Sequence, residues 1–240
     1  MNVRKVAVIG HSQTIALERF YKQHSSEIKE EFVFLNLFDE RYKPNYSRGR
    51  VNKKIIEDII NLTKLGYCLV FSIGGGRHNV FGLVKHPISF QVISDKHKNH
   101  QIIANDIITR FHIKNILNEE LFVHLEITKQ IAEIIKIKCY FLESPAPVPC
   151  DKFLSSVNSR FREHIEINGS IEKYTRYAIW DIQSTIIKSV VNDIGWEYIN
   201  IPDETKDSEG FLSKEYWKDP THGNDIFGGK FINKIVGIIE

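Results

Sequence analysis

Val6-Ala7-Val8-Ile9-Gly10-His11-Ser12-Gln13-Thr14 decides the fold. Four consecutive apolar residues suit a strand buried on both faces, and the run stops at Gly10, a residue free to make the tight turn that precedes a helix. From Thr14 to Gln23, Ile15, Leu17, Phe20 and Tyr21 recur at helical spacing. The segment predicts strand, tight turn, helix, with Ser12 displayed on the turn.

Working outward, the alternation repeats. Phe32 to Leu37 predicts a strand, and Asn52 to Leu65 a helix with Ile55, Ile56, Ile59, Ile60 and Leu62 on one face. Tyr67 to Ile73 is a further β-rich run ending at Gly74-Gly75-Gly76. Ile113 to Ile137 is helical in pattern, Cys139 to Leu142 is a short apolar strand, and Pro145, Pro147 and Pro149 then enforce an extended loop. Lys152 to Glu163 and Glu172 to Asp193 predict helices, and Trp196 to Ile201 a last strand. Asn224 to Ile239 predicts a closing helix weakened at its start by Gly228 and Gly229. Strands separated by helices imply an α/β fold with a parallel sheet covered on both faces. Val80 to Phe111 fits this alternation poorly, being interrupted by Gly82, Pro87 and a basic, His-rich patch, and predicts an insertion or lid. The expectation is one domain over residues 1–240, carrying that insertion at 80–111.

Composition narrows the function classes. Hydrophobic residues at 42% and charged residues at 26% are ordinary globular values, and a net charge of +2 leaves no electrostatic footprint for a nucleic-acid binder. The three cysteines, Cys68, Cys139 and Cys150, have no C-x-x-C spacing, so neither a disulfide framework nor a zinc knuckle is expected. Only five apolar or small residues, Val6 to Gly10, follow the basic N-terminal stretch, far short of a signal-peptide core. No later stretch approaches the ~20 apolar residues of a membrane helix. A soluble, cytoplasmic protein without cofactor is the expectation, its oligomeric state left open.

Asp219-Pro220-Thr221-His222 carries the chemistry at the other end of the chain. An Asp three positions before a His on a proline-fixed turn can place both side chains on one rim, and a serine hydroxyl needs such an imidazole base oriented by a carboxylate. Ser12 is the candidate nucleophile. Its plainer reading is a cap for the following helix, a role open to Thr14 as well. Gly74-Gly75-Gly76-Arg77-His78-Asn79 can approach a ligand through its backbone, with Asn79 as an oxyanion donor. It reads otherwise as a flexible turn or a phosphate loop, the latter disfavoured because no Lys-Ser or Lys-Thr pair follows. Asp219, His222 and Asp225 also have spacing for a divalent metal, with His11 or His78 as further ligands, but Ser12 is then idle. Cys150 with His164 is a weaker nucleophile pair, and Tyr174, Tyr177 and Trp180 read as core or helix surface. In an open parallel sheet the loops after the strands converge on one crevice. Gly10 to Gln13, Gly74 to Asn79, Ser144 to Cys150 and Asp219 to His222 all fall there.

Together these segments resemble the SGNH (GDSL-like) hydrolase superfamily. Gly10-His11-Ser12-Gln13 resembles its first block, a GDS-type turn carrying the nucleophile, with His11 in place of the usual Asp. Asp219-Pro220-Thr221-His222 resembles the last block, which completes the triad. Gly74 to Asn79 is similar to the G-x-N-D block that supplies an oxyanion asparagine. Spacing from Gly74 falls at Gly76, and the nearest asparagine is Asn79. Gly49 is a candidate for the remaining glycine block. The resemblance implies a three-layer α/β/α domain of flavodoxin-like type, sheet order 2-1-3-4-5, with a substrate-contacting loop at Ser144-Pro145-Ala146-Pro147. It further implies a serine esterase or O-acyl (acetyl) transferase acting on an acylated small molecule or carbohydrate. Ser12, Asp219 and His222 would be catalytic, with Gly75, Gly76 and Asn79 at the oxyanion and substrate. The alternative is a catalytically silent domain of that type binding a glycan or a protein.

Overall fold

A computed structural model describes residues 3–100, 104 and 106–239. Along the chain run β1 (Lys5–Gly10), α1 (Thr14–His24), β2 (Glu31–Asn36), α2 (Lys53–Lys64), β3 (Cys68–Ser72) and α3 (His78–Gly82). There follow β4 (Phe90–Gln91), β5 (Asp106–Ile107), α4 (Arg110–Ile134), β6 (Cys139–Leu142), α5 (Asp151–Ser156) and α6 (Arg162–Asn168). The chain closes with α7 (Lys173–Asp193), β7 (Glu197–Ile199), β8 (Trp217–Asp219), β9 (His222–Gly223) and α8 (Asp225–Ile238).

Period-two patterning builds three layers from one sheet. The strands lie in the order β2-β1-β3-β6-β7 and every neighbouring pair is parallel. Counted along the chain, the sheet strands are therefore ordered 2-1-3-4-5. On β1, Ala7 and Ile9 face a core closed by Ile55 and Ile59 of α2, Leu117 and Leu121 of α4, and Ile182 and Ile186 of α7. Val6 and Val8 face the opposite core, closed by Leu17 of α1 and by Phe231, Ile232 and Ile235 of α8. Each such side chain contributes about 1.5–3 kcal/mol by leaving water. Side chains cap the longer helices: Asn52 accepts from Lys54 N–H at 2.8 Å, and Asn224 accepts from Phe227 N–H at 3.1 Å.

Three departures from the sequence expectation have local causes. The helix expected over Lys152 to Glu163 is two helices, α5 and α6. Ser155 and Ser156 hydroxyls bond back to the Lys152 and Phe153 carbonyls, and Val157 turns to extended backbone. The break carries Ser159, Arg160 and Phe161 to the mouth of a cavity described below. Val80 to Phe111 contains the end of α3, the short parallel pair β4 and β5, and the start of α4; residues 101–103 and 105 lie outside the described residues. Val92 N–H bonds Thr175 Oγ1, and His97 packs on Tyr174, Tyr177 and Phe211, so this part of the segment lies against α7.

The third departure concerns Gly228, which sits where α8 crosses α1: a methyl added there would overlap the Ala16 carbonyl. The glycine that weakens the helix is what lets the two helices meet. Gly228→Ala therefore destabilises the fold by about 2 kcal/mol although alanine is the better helix former, whereas Gly237→Ala, in open space on the same helix, stabilises it by about 1 kcal/mol. Urea unfolding of the two variants reads the opposite signs; a gain at both positions would contradict the close crossing.

Candidate active site

The turn after β1 is built by contact with β3. His11 N–H donates to Ser72 O at 3.1 Å, and a methyl at Gly10 would overlap that same carbonyl, so only glycine allows this approach. Helix α1 starts after Gln13 with no side-chain cap, and Thr14 Oγ1 donates to His11 O at 2.8 Å. Neither Ser12 nor Thr14 caps the helix. Ser12 Oγ instead lies 2.7 Å from His222 Nε2.

Asp219 and His222 end one short strand and begin the next in the β8–β9 turn. Asp219 Oδ1 accepts from the N–H groups of Thr221 and His222 at 2.8 and 3.0 Å and from Thr221 Oγ1 at 2.9 Å, an Asx-type closure that fixes the carboxylate. Its Oδ2 lies 2.9 Å from His222 Nδ1. Burial alone would raise the carboxyl's pKa; the hydrogen bonds from His222 and Thr221, with the charge of His222, outweigh it and hold it below the usual value.

Ser12, Asp219 and His222 border a cavity of about 450 Å³ together with Gly74, Gly75 and Gly76. Among the described residues the N–H groups of Ser12, Gly75 and Gly76 have no acceptor within the protein. Asn79, the expected side-chain donor, is not on this wall: α3 begins at His78 and turns Asn79 into the interior. The glycine loop is held from behind by Gln183 of α7, fully buried, whose Nε2 donates to Gly75 O at 2.6 Å and whose Oε1 accepts from His78 N–H at 2.6 Å. Ser144, Pro145, Ala146 and Pro147 are buried, and Pro145 borders only a small void behind Ser12 and His222. Arg176, also buried, holds the following loop through the Val148 and Pro149 carbonyls and Asp151.

Four further residues of the wall were not singled out for this role by sequence, because only the fold gathers them. Arg77 Nε donates to His124 Nε2 at 2.9 Å, which leaves the His124 proton on Nδ1, a buried atom without a partner among the described residues. Gly74 N–H approaches His11 Nδ1 at 3.4 Å, and His11 Nε2 then donates to Tyr46 Oη at 2.5 Å. Burial, then the charge of Arg77, pushes His11 down to about 4. Burial, then His11 and Arg77, pushes His124 down to about 3. Both imidazoles are neutral at neutral pH. Among the described residues no group of three or more His, Cys, Asp or Glu side chains could hold a metal ion, and no contact joins Cys150 to His164. No described helix is long and apolar enough to cross a membrane.

No family model and no curated protein matches this sequence. Solved structures do. A GDSL-like lipase from Bacteroides thetaiotaomicron is 14% identical over 98% of this chain and 89% of its own, with a TM-score of 0.44. Phospholipase A1 from Streptomyces albidoflavus is 11% identical over 98% and 99%, with a TM-score of 0.45. The periplasmic domain of a lipopolysaccharide acetyltransferase from Salmonella ser. Paratyphi A is 12% identical over 99% and 84%, with a TM-score of 0.45. At these values the likeness is one of chain path and assigns no activity.

The neutral imidazoles set a pH dependence. A histidine with folded pKa below its unfolded value of about 6.5 binds its proton more readily in the unfolded chain, so stability is full above about pH 6.5 and falls as pH drops toward the folded pKa. His124 contributes up to about 1.4 kcal/mol per pH unit across that window. His124→Gln should lose correspondingly less stability than the wild type between about pH 6.5 and 4.5 in urea titrations; equal pH slopes would show that the ring is not held neutral.

Proposed function

We propose that this chain is an SGNH-type serine esterase or O-acyl transferase acting on an acylated small molecule or carbohydrate. The observation that carries the reading is the continuous hydrogen-bonded path Ser12 Oγ to His222 Nε2 at 2.7 Å and His222 Nδ1 to Asp219 Oδ2 at 2.9 Å, opening on a cavity. His222 Nε2 takes the Ser12 proton as Oγ attacks the ester carbonyl, and Asp219 holds the ring and stabilises the imidazolium. The N–H groups of Ser12, Gly75 and Gly76 bear the tetrahedral oxyanion. Collapse breaks the ester C–O bond, His222 returns the proton to the leaving alkoxide, and an acyl-Ser12 remains. Water then makes the reaction hydrolysis; a sugar hydroxyl makes it transfer.

The displacement of Asn79 from the cavity favours one rival, a silent domain of the same fold that binds a glycan or a protein. Short-chain aryl ester hydrolysis separates the two. Ser12→Ala and His222→Ala should each lower kcat by about 10³-fold or more, and Asp219→Asn by at least about 10²-fold, with unchanged circular dichroism. A fluorophosphonate should label the wild type but not Ser12→Ala. Equal residual rates in all variants, with no labelling of the folded wild type, would establish the silent reading.

A further inference from the structure

The cavity beside Ser12 is lined by two guanidinium groups and by one carboxylate, Asp219, whose oxygens are already engaged by His222 and Thr221. Arg77 arrives from the loop after β3 and Arg160 from the break between α5 and α6. The Arg77 Nε is bound to a neutral acceptor, His124, and its one ion pair among the described residues, to Glu120 at 3.7 Å between part-exposed groups, is loose enough to leave most of its charge uncompensated. Arg160 has no ion pair, and its N–H groups no acceptor, among the described residues; its guanidinium lies 4.6 Å from the ring centre of Phe161. The Nδ1–H of His124 is enclosed behind the same wall and does not reach the cavity, so the two guanidinium groups carry its charge. The wall thus sets two guanidinium groups against one carboxylate that is already engaged, and the natural complement is a group that accepts hydrogen bonds and carries negative charge.

We propose that this cavity receives an ester whose acyl or alcohol part bears an oxyanionic group, a carboxylate or a phosphate, gripped between Arg77 and Arg160. The proposal rests on the serine esterase reading for the word ester, but the anion site itself does not depend on turnover. It separates this chain from a purely lipid-directed hydrolase: the cavity selects for charge on the substrate, and a neutral acetate ester fills it without satisfying the guanidinium groups.

Binding to Ser12→Ala by calorimetry tests the site without catalysis. The probes are N-acetyl-4-aminobenzoate, 4-acetamidophenyl phosphate and neutral acetanilide. At least one anionic probe should bind about tenfold or more tighter than acetanilide. Whichever anion is preferred identifies the group. Adding Arg160→Gln, an exposed position whose loss spares the fold, should cut that ratio about fivefold or more, Arg160→Lys less, and raising salt from about 0.05 to 0.3 M should shrink it. In wild-type kinetics 4-acetoxybenzoate should exceed phenyl acetate in kcat/KM, mainly through KM. Equal binding of charged and neutral probes, no binding of either anion, or a preference untouched by Arg77→Gln combined with Arg160→Gln would overturn the proposal. Ser12-dependent turnover without any charge preference removes the anion site and spares the esterase; charge-selective binding without turnover does the reverse.

Discussion

The bond between Ser12 and His222 joins residues 210 positions apart, and everything at the site depends on the scaffold that makes so distant a pair meet. One hydrogen bond contributes about 1 kcal/mol net, too little to hold two chain ends together. The work is done by packing. Ser12 is fixed because β1 lies so close to β3 at Gly10 that no side chain fits between them. His222 is fixed because α8 begins two residues after β9's first residue's neighbour, capped by Asn224, and lies across α1 at Gly228. Since α1 itself starts one residue beyond Gln13, the helix pair that closes one face of the sheet also sets the distance between the Ser12 hydroxyl and the His222 ring.

What could be read from the chain followed from local signals. The apolar run of β1, the glycine after it and the Asp-Pro-Thr-His turn each have a short-range physical meaning, and the convergence of loops after parallel strands brings Ser12 to His222, whereas the sheet order was legible only through the family resemblance. Asn79 shows where such reading stops. Spacing from Gly74 points to Gly76, and Asn79 is the nearest asparagine; one helical turn at His78 puts it inside, and no short-range signal announces so brief a helix. Gln183, Arg176 and His124 were illegible for another reason: each sits on a long helix at a position whose polar side chain looks unremarkable until the partner loop is known. The break at Val157 was hidden because Ser155 and Ser156 read equally well as helix surface.

Gln183 also accounts for how a loop of three glycines can hold still. Glycine backbone is the costliest to order, and a mobile loop would make a poor hydrogen-bond donor to a transient charge. A buried amide that donates to the Gly75 carbonyl and accepts from the His78 N–H fixes the loop from the side away from the cavity, leaving the Gly75 and Gly76 N–H groups unspent. The glycine loop is thereby held by a second layer, not by an asparagine at the surface of the pocket.

The electrostatics of the wall follow from the same economy of donors. Arg77 holds its charge against two imidazoles, and that charge, added to their burial, keeps both neutral, while the N–H groups of Arg77 and Gly74 occupy one nitrogen of each ring and leave the proton on the other. With the protons placed, His11 donates to Tyr46 and His124 keeps its hydrogen on the enclosed Nδ1, so neither ring adds a positive charge to the wall. A half-exposed guanidinium keeps enough hydration to avoid the full cost of burial, and solvent and salt screen part of its field. The charge facing the cavity is thus carried by Arg77 and Arg160, and the one carboxylate on the wall, Asp219, is already paired with His222.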